Sequence, residues 1–223
     1  MAPPIPLAVV CDFDGTITTF DLGDRLCRRF VTASEWADIE ARYRAGGQTL
    51  REILRSMFAP IRATDAELAA AALEVAQVRP GFAELVAACA GHAVPFVLAS
   101  GGLDLYIDPV LRSVLPRAHD AHVERRCNLA TPGAFGLDVV FPLDGQGCGL
   151  CGSCKRVVVD ELRARGVRTV VAVGDGVSDR CLVGTADVLF ARGNLLDYAR
   201  RRGVDALPWE DFHDVRRWLE GRL

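Results

Sequence analysis

Four short segments of the chain place carboxylate, hydroxyl or amine side chains beside glycine or at a predicted helix start. They are Asp12-Phe13-Asp14-Gly15-Thr16, Ser100-Gly101-Gly102, Lys155 and Gly174-Asp175-Gly176-Val177-Ser178-Asp179. Each segment alone is also typical of a tight turn or a helix cap. Their joint occurrence, at the ends of predicted elements, indicates a single chemical site.

The acidic residues indicate a nucleophile, a proton carrier and a metal. Asp12 and Asp14 are separated by one residue, so both side chains point to the same side of an extended chain. One carboxylate can attack while the other handles protons. Asp175 and Asp179 add negative charge that would repel unless a hard cation lay among the carboxylates, and Mg²⁺ suits oxygen ligands.

The remaining residues indicate a seat for a tetrahedral anion. Ser100 and the backbone of the glycines after it offer donors for a phosphate, and Lys155 supplies a balancing positive charge. Lys155 is the only lysine among 26 basic residues, which favours a role that a planar guanidinium cannot fill. A carboxylate nucleophile, a metal and such donors together predict phosphoryl transfer through an aspartyl-phosphate.

Alternating strand and helix patterns predict the parallel sheet that would position these residues, because ligands bind at the carboxyl ends of the strands in such sheets. We predict strands at 6–11, 94–99, 168–173, 187–190 and 204–207. We predict helices at 82–90, 104–114, 155–165, 179–184, 194–202 and 210–221. A two-strand hairpin is predicted around 119–127 and 137–141, with a Thr-Pro-Gly turn between its arms.

The segment over 21–78 differs because its spacing is helical throughout. Three capping boxes mark helix starts, and these are Thr32–Glu35, Thr49–Glu52 and Thr64–Glu67. With the segment from Asp21 they predict about four helices and no strand. We therefore expect an α/β core over 1–20 and 79–223, covered by helices on both faces and interrupted by a helical insert.

Composition excludes several classes of protein. The chain has 223 residues, is half hydrophobic and a quarter charged, and has a formal net charge of −3. This composition excludes a disordered chain and offers no positive field for nucleic acid. No apolar run approaches the roughly 18 residues of a membrane span, and MAPPIPLAVV lacks the basic start of a secretory signal. We expect a cytoplasmic monomer or homodimer.

The four motifs resemble those of the haloacid dehalogenase superfamily of phosphatases. DFDGT, the Ser of LASGG, Lys155 and GDGVSD look like its motifs I to IV, in order and over nearly the whole chain. The resemblance implies a Rossmann-like core in which the helical insert is a cap that closes over the site and admits small phosphate esters.

The resemblance also implies a role for each motif residue. Asp12 would be the nucleophile, and Asp14 the general acid for the leaving alcohol and then the base for water. Thr16 would support the loop, while Ser100 and Lys155 would hold the transferring phosphoryl group. Mg²⁺ would be held by the Asp12 carboxylate, the Asp14 carbonyl and Asp175, with Asp179 in support. The substrate-binding set that we expect is Thr16, Ser100, Gly101, Asp21 and Arg51, with Arg55 as a further contact from the cap.

Two branches of the superfamily compete for the substrate. SGGLDLYIDPVL looks like phosphoserine phosphatases, but those usually have Ser at the position of Gly15 and a Glu near Asp21. Cys-Gly-x-Cys-Lys and the C-terminal segment look closer to the branch that acts on 2-hydroxy-3-keto-5-methylthiopentenyl-1-phosphate, phosphocholine and phosphoethanolamine. We favour this methionine-salvage type, with phosphoserine or another small phosphomonoester as alternatives.

Cysteines form a second constellation. Cys148, Cys151 and Cys154 have metal-ligand spacing and could hold zinc or an iron–sulfur cluster, remain free thiols or form a disulfide. A fourth ligand could come from Cys127, His119 or His122. The other four cysteines lie in apolar segments and are expected to be small core residues, namely Cys11, Cys27, Cys89 and Cys181.

Three other functions compete with hydrolysis. A phosphotransferase or phosphomutase would use the same aspartyl-phosphate. A receiver-type signalling domain also has an acidic pocket, but the insert after Asp12 and the proton donor Asp14 argue against it. A thiol or metal-cluster module would leave the four aspartates unexplained.

Overall fold

The computed structural model describes residues 5–133 and 136–223, and the segment MAPP, where we expect no secretory signal, lies outside them. A seven-stranded sheet with strand order β4-β3-β2-β1-β5-β6-β7 runs through the centre of the fold. The pairs β1–β2, β1–β5, β2–β3, β5–β6 and β6–β7 are parallel. The strands are β1 (Ile5–Cys11), β2 (Phe96–Leu103), β3 (Val123–Pro132), β4 (Leu137–Val140), β5 (Val167–Gly174), β6 (Val188–Ala191) and β7 (Leu207–Pro208).

Both faces of this sheet are buried, which confirms the predicted α/β fold. Along β1, Leu7, Val9 and Cys11 belong to one hydrophobic cluster, while Ala8 and Val10 belong to the other. The alternation follows from the two-residue period of a strand. The helices of the core are α5 (Phe82–Gly91), α6 (Asp104–Val114), α7 (Arg117–His122), α8 (Lys155–Ala164), α9 (Gly193–Arg201) and α10 (Phe212–Glu220).

The segment over 21–78 contains four helices, and three of them begin at the predicted capping boxes. The four helices are α1 (Leu22–Phe30), α2 (Ala33–Ala45), α3 (Leu50–Phe58) and α4 (Asp65–Val75). The hydroxyls of Thr32, Thr49 and Thr64 each accept a hydrogen bond from the N–H three residues on, and the glutamate there bonds back to the cap backbone. Thr18 and Val78 pair in an isolated bridge, so the chain leaves the core and returns to it at adjacent points.

The hairpin prediction is wrong in its details. Residues 117–122 form helix α7 rather than a strand, and Pro116 (φ −55°, ψ 147°) is the cap residue that precedes its first turn. Thr131 and Pro132 are not turn residues, since they pair with Asp138 and Leu137 in the ladder between β3 and β4. The antiparallel pair extends the main sheet at its edge instead of standing apart from it.

The last strand and helix are shorter than predicted. β7 covers Leu207–Pro208 instead of 204–207, and it ends at Pro208, which lacks the N–H that would continue the ladder. Helix α10 begins at Phe212, after Asp211 accepts the N–H of His213 as its cap. Within the described residues, no helix is long and apolar enough to span a membrane.

Candidate active site

The candidate site lies where three neighbouring strands end. Cys11, the last residue of β1, is paired with both β2 and β5. Asp12, Ser100 and Asp175 follow that paired row within two residues on their strands. The parallel topology therefore brings together three of the four segments that the sequence singles out.

Lys155, the fourth of these segments, also lies at this edge of the sheet. It is the first residue of α8, and both Lys155 and Asp12 are buried, at 0% and 3% exposure. Its Nζ donates to Asp12 Oδ1 at 2.6 Å, to Ser178 Oγ at 3.4 Å and to Asp179 Oδ1. Burial alone would lower the pKa of Lys155, but the carboxylates of Asp12 and Asp179 outweigh it and raise that pKa. Lys155 is therefore a fixed cation between two carboxylates.

Asp14 is held by three donors in a buried setting. Its Oδ1 accepts the N–H groups of Leu22 at 2.8 Å and Gly23 at 3.2 Å, and its Oδ2 accepts the Tyr106 hydroxyl at 2.7 Å. Burial, followed by the charge of Asp21, raises the pKa of Asp14 to about 7. A carboxyl with such a pKa can both donate and accept a proton near neutral pH.

Asp175 and Asp179 organise the loop after β5. Asp179 Oδ2 accepts the N–H groups of Asp175 at 3.0 Å and Gly176 at 2.9 Å, so the Asp179 side chain holds the backbone of this loop in place. The Thr16 hydroxyl donates to Asp175 Oδ1 at 2.8 Å, and Thr16 is buried behind the cavity instead of lining it. Gly15 has φ +79°, and a Cβ there would lie 2.5 Å from Asp175 Oδ2, so glycine allows the two loops to approach.

The carboxylates of Asp12 and Asp175 fit a divalent cation, and Asp179 supports them, because its two oxygens already accept Lys155 and two backbone N–H groups. One oxygen each of Asp12, Asp175 and Asp179 lies within 4.8 Å of the other two. Burial is the largest cause, and the negative charge of Asp179 the second, that raises the pKa of Asp12 and that of Asp175. The carboxylates are crowded and buried, and a hard oxygen-binding cation such as Mg²⁺ would stabilise their charged forms.

The C-terminal half of β2 offers a hydroxyl and backbone amides. Ser100 Oγ accepts the Gly102 N–H at 2.9 Å, and the carbonyl of Gly101 accepts Asn128 Nδ2 at 2.7 Å. A Cβ at Gly102 would lie 2.1 Å from the Tyr106 hydroxyl, so that position requires glycine. All three residues of Ser100–Gly102 line the cavity above Asp12.

A cavity of about 680 Å³ lies between the strand ends and the helical insert. Its floor includes Asp12, Asp14, Ser100 and Asp175, and α1, α2 and α3 supply the facing wall. The insert therefore covers the site, as a cap would.

The residues expected to contact substrate from the cap lie in different places. Asp21 lines the cavity, but its Oδ1 also caps α1 by accepting the Asp24 N–H at 2.7 Å. Arg51 does not line the cavity, because its guanidinium pairs with Asp144 in the loop after β4. Arg55 stacks on an aromatic ring outside the lining. The structure thus brings Asp21, and neither arginine, to the cavity.

Sequence reasoning missed three residues that support the site. Tyr106 donates to Asp14, and Asn128 fixes the carbonyl of Gly101. The buried Arg79 guanidinium donates to the carbonyls of Thr16 at 3.0 Å and Gly15 at 2.9 Å, which holds the loop after β1. Of these three residues, Arg79 could have been found from the sequence, because an arginine between apolar Val78 and the turn at Pro80-Gly81 needs a buried acceptor.

Comparisons with known proteins agree with this geometry. Residues 9–183 match the family model of the haloacid dehalogenase-like hydrolases. The chain is 32% identical over 216 residues to the bifunctional enzyme MtnB/MtnX of Bacillus licheniformis. The match covers 95% of this chain, and the chain spans about half (49%) of that relative's length.

A second relative is matched along its whole length. The 2-hydroxy-3-keto-5-methylthiopentenyl-1-phosphate phosphatase of Exiguobacterium sp. is 29% identical over 216 residues, with 96% of this chain and 97% of the relative covered. Among solved structures, a phospho-aspartyl intermediate analogue of phosphoserine phosphatase superimposes with a TM-score of 0.70. At 18% identity over 97% of this chain and 99% of that one, this likeness is one of fold.

Proposed function

Because this chain belongs to the haloacid dehalogenase-like hydrolase family and is a phosphatase, we propose that it hydrolyses a small phosphomonoester through an aspartyl-phosphate on Asp12. One observation carries the proposal, namely the Asp12 carboxylate held 2.6 Å from the buried Lys155 Nζ at the floor of a covered cavity. A fixed cation beside the nucleophile would also stabilise the negative charge of the phosphoryl group that this carboxylate would attack.

The reaction would proceed in two displacements. In the first, a carboxylate oxygen of Asp12 bonds to phosphorus, the ester P–O bond breaks, and Asp14 protonates the departing alkoxide to give the alcohol. In the second, Asp14 takes a proton from water, whose oxygen bonds to phosphorus as the P–O bond to Asp12 breaks. The products are inorganic phosphate and the free carboxylate of Asp12.

The residues around the floor would orient the phosphoryl group. Ser100 and the backbone of Gly101 would bind its oxygens, opposite the ammonium of Lys155. Mg²⁺ bound by the Asp12 and Asp175 carboxylates and the Asp14 carbonyl would neutralise charge on the phosphoryl oxygens. Asp179 would hold Lys155 and the Asp175 loop in place.

Replacing Asp14 by Asn tests the assignment of the proton donor. The variant cannot protonate a leaving alkoxide, so we expect a loss of at least about 100-fold in kcat/KM on an alkyl phosphate. We compare kcat/KM because it reports formation of the phosphoenzyme and not the later attack by water, for which Asp14 is also the base. The loss on p-nitrophenyl phosphate should be much smaller, because p-nitrophenolate leaves without a proton. Steady-state kinetics on both substrates make the comparison, and equal losses would remove Asp14 from this role.

The cavity wall supports an apolar substrate tail. Helices α2 and α3 present a row of hydrophobic side chains to the cavity, and these are Trp36, Ile39, Tyr43, Leu50, Ile53, Leu54 and Met57. Arg28 also lines the cavity, but it pairs with Asp24 at 2.8 Å and Glu40 at 3.1 Å, so its charge is compensated. A thioether chain suits this wall better than the ammonium and carboxylate of phosphoserine, because burying unpaired charges is costly.

We therefore propose a methionine-salvage-type substrate, 2-hydroxy-3-keto-5-methylthiopentenyl-1-phosphate. Its kcat/KM should exceed that of phosphoserine by at least about tenfold, or 1.4 kcal/mol. The measurement is phosphate release from a panel of phosphorylated metabolites, with Mg²⁺ and after EDTA treatment. Activity should be lost with EDTA and return with Mg²⁺.

A wall variant sharpens the substrate test. Replacing Ile53 by Asn places an amide in the apolar wall, so the preference for the thioether substrate should fall by roughly tenfold. Replacing Leu73, which is 47% exposed on α4 and outside the lining, by Asn is the matched control and should change nothing. A tenfold preference for phosphoserine in the wild type would overturn the substrate assignment and leave the phosphatase intact.

A further inference from the structure

Four cysteines meet beside the first turn of α8, and we call them the thiol cluster: Cys148, Cys151, Cys154 and Cys181. The sulfurs of the first three lie within 4.8 Å of one another, and Cys148 Sγ lies 3.3 Å from Cys151 Sγ. Cys181 is half-buried and lies outside that mutual group. Its Sγ donates to the carbonyl of Ser178 at 3.8 Å, and Cys181 is close enough to Cys151 to raise the pKa of that thiol. The expectation that Cys181 is a core residue is therefore wrong.

The fourth ligands suggested by the sequence lie elsewhere. Cys127 is buried on β3 in the main hydrophobic cluster, where Asp104 and Asp108 are its charged neighbours. The His122 ring is hydrogen-bonded to the carbonyl of Val94 at 2.8 Å. His119 belongs to the same short helix, α7. The structure supplies Cys181 in their place.

Groups that stabilise a thiolate lie near the sulfurs on both sides of the cluster. The Leu150 N–H donates to Cys148 Sγ at 3.4 Å. On the other side, the Cys151 thiol, the Lys155 ammonium and the first-turn N–H groups of Lys155 and Arg156, which have no acceptor within α8, together lower the pKa of Cys181. Such donors stabilise thiolates, and the thiolate is the form that binds a metal.

The loop also wraps closely around the sulfurs. Gly147 has φ +68°, and a Cβ at this position would lie 2.7 Å from Cys154 Sγ. The backbone approaches the thiol at a distance that a larger residue would prevent. The cluster is therefore a folded arrangement and not a chance meeting of flexible side chains.

The spacing of the sulfurs decides between a single ion and a cluster. Around a tetrahedral Zn²⁺ with Zn–S bonds of about 2.3 Å, neighbouring sulfurs lie about 3.8 Å apart. The Cys148–Cys151 sulfur distance of 3.3 Å lies just below that value, and all sulfur distances among Cys148, Cys151 and Cys154 are at most 4.8 Å. An iron–sulfur cluster places a separate iron at each thiolate, so its ligands stand further apart.

We propose that the thiol cluster binds one structural Zn²⁺, with Cys181 Sγ leaving the carbonyl of Ser178 to become the fourth ligand. Binding would release the thiol protons to solvent. Cys154 directly precedes Lys155, and Cys181 follows Asp179 by two residues. The ion would therefore tie the start of α8 to the turn that carries Asp179, and would fix the pair that holds Asp12.

The test measures metal content, which does not depend on the proposed reaction. The full-length protein, purified under reducing conditions without chelator, should contain about one Zn²⁺ per chain by elemental mass spectrometry. Replacing Cys181 by Ser should remove most of it. Replacing Cys127 by Ser is the matched control, since it changes the alternative ligand from the sequence, and it should retain the zinc.

Cobalt substitution identifies the ligands. Co²⁺ in the wild-type protein should give the strong visible bands of a tetrahedral site and a thiolate-to-metal charge-transfer band, and both should weaken in the Cys181→Ser variant. A zinc-selective chelator in excess Mg²⁺ should lower the melting temperature of the wild type and leave that of Cys181→Ser unchanged.

Three results would overturn the proposal. They are a zinc-free wild type whose thiols are free, a Cys148–Cys151 disulfide found by mass spectrometry, and bound iron with cluster absorbance. Full zinc occupancy in Cys181→Ser would also overturn the assignment of the fourth ligand. A phosphatase without zinc would contradict only this site, and a zinc protein without phosphatase activity would contradict only the proposed function.

Discussion

Replacing Asp12 by Asn is expected to abolish turnover, with a loss on the order of 10⁴-fold or more in kcat. The Asn side chain has nearly the same size, and its amide oxygen can still accept the hydrogen bond that Lys155 donates to Asp12 Oδ1 at 2.6 Å. It cannot attack phosphorus and leave again as a carboxylate. The variant thus separates nucleophilic attack from the geometry of the site.

The fold should survive this substitution. Asp12 is 3% exposed, and burial followed by the charge of Asp179 raises its pKa, so its charged form is costly to bury. Lys155 keeps the carboxylate of Asp179 as a partner after the change. We expect the melting temperature of Asp12→Asn to equal or exceed that of the wild type.

The decisive measurement is the phosphoenzyme. Acid-quenched wild type under turnover should carry a phosphoryl group on the peptide that contains Asp12, as detected by mass spectrometry, and Asp12→Asn should carry none. Asp38, exposed on α2 and outside the cavity, provides the control, because Asp38→Asn should behave as wild type. Substantial turnover by Asp12→Asn would exclude an aspartyl-phosphate on this residue.

The floor of the site could be predicted from sequence because strand ends fix it. Once β1 and β5 are read as parallel neighbours, Asp12 and Asp175 must follow their last paired residues at the same edge. The capping boxes likewise locate three helix starts from local interactions alone. Such features depend on a few adjacent residues, and the physics that sets them is local.

The contacts across the cavity could not be predicted in this way. Whether Arg51 faces substrate depends on the packing of α3 against the loop after β4, where Asp144, 93 residues away, binds its guanidinium. Tyr106 reaches Asp14 across 92 residues, and only the position of α6 brings it there. Cys181 looks like a core residue in its apolar segment, but the turn over Val177–Leu182 leaves it half-buried near the start of α8.

The second large effect is expected at Lys155. Asp12, Asp175 and Asp179 converge on one point, and a bound phosphate adds further negative charge. Mg²⁺ offsets two of these charges, so a fixed cation is still needed. Lys155 supplies it at the N-terminus of α8, where the helix dipole has the same sign.

Replacing Lys155 by Arg keeps the charge and changes its shape. The guanidinium is planar and larger than the ammonium that donates to Asp12 and Asp179, and Lys155 has no exposed surface into which it could expand. We expect kcat/KM to fall at least about tenfold, which corresponds to 1.4 kcal/mol of transition-state stabilisation. Overpacking should also reduce the free energy of unfolding by about 1–3 kcal/mol.

A second substitution separates charge from packing. Replacing Lys155 by Met nearly preserves the side-chain volume but leaves Asp12 and Asp179 without a buried cation. We expect an activity loss at least as large as that of Lys155→Arg. The loss in the free energy of unfolding should be larger, about 3–5 kcal/mol. Arg156, the exposed neighbour that lies 3.7 Å from Asp160, provides the matched exchange, because Arg156→Lys should leave kinetics and stability unchanged. Steady-state kinetics and urea unfolding measure both effects. If Lys155→Arg retained wild-type kinetics, a compact ammonium would not be needed beside the nucleophile, and the solitary lysine would be an accident of an arginine-rich composition.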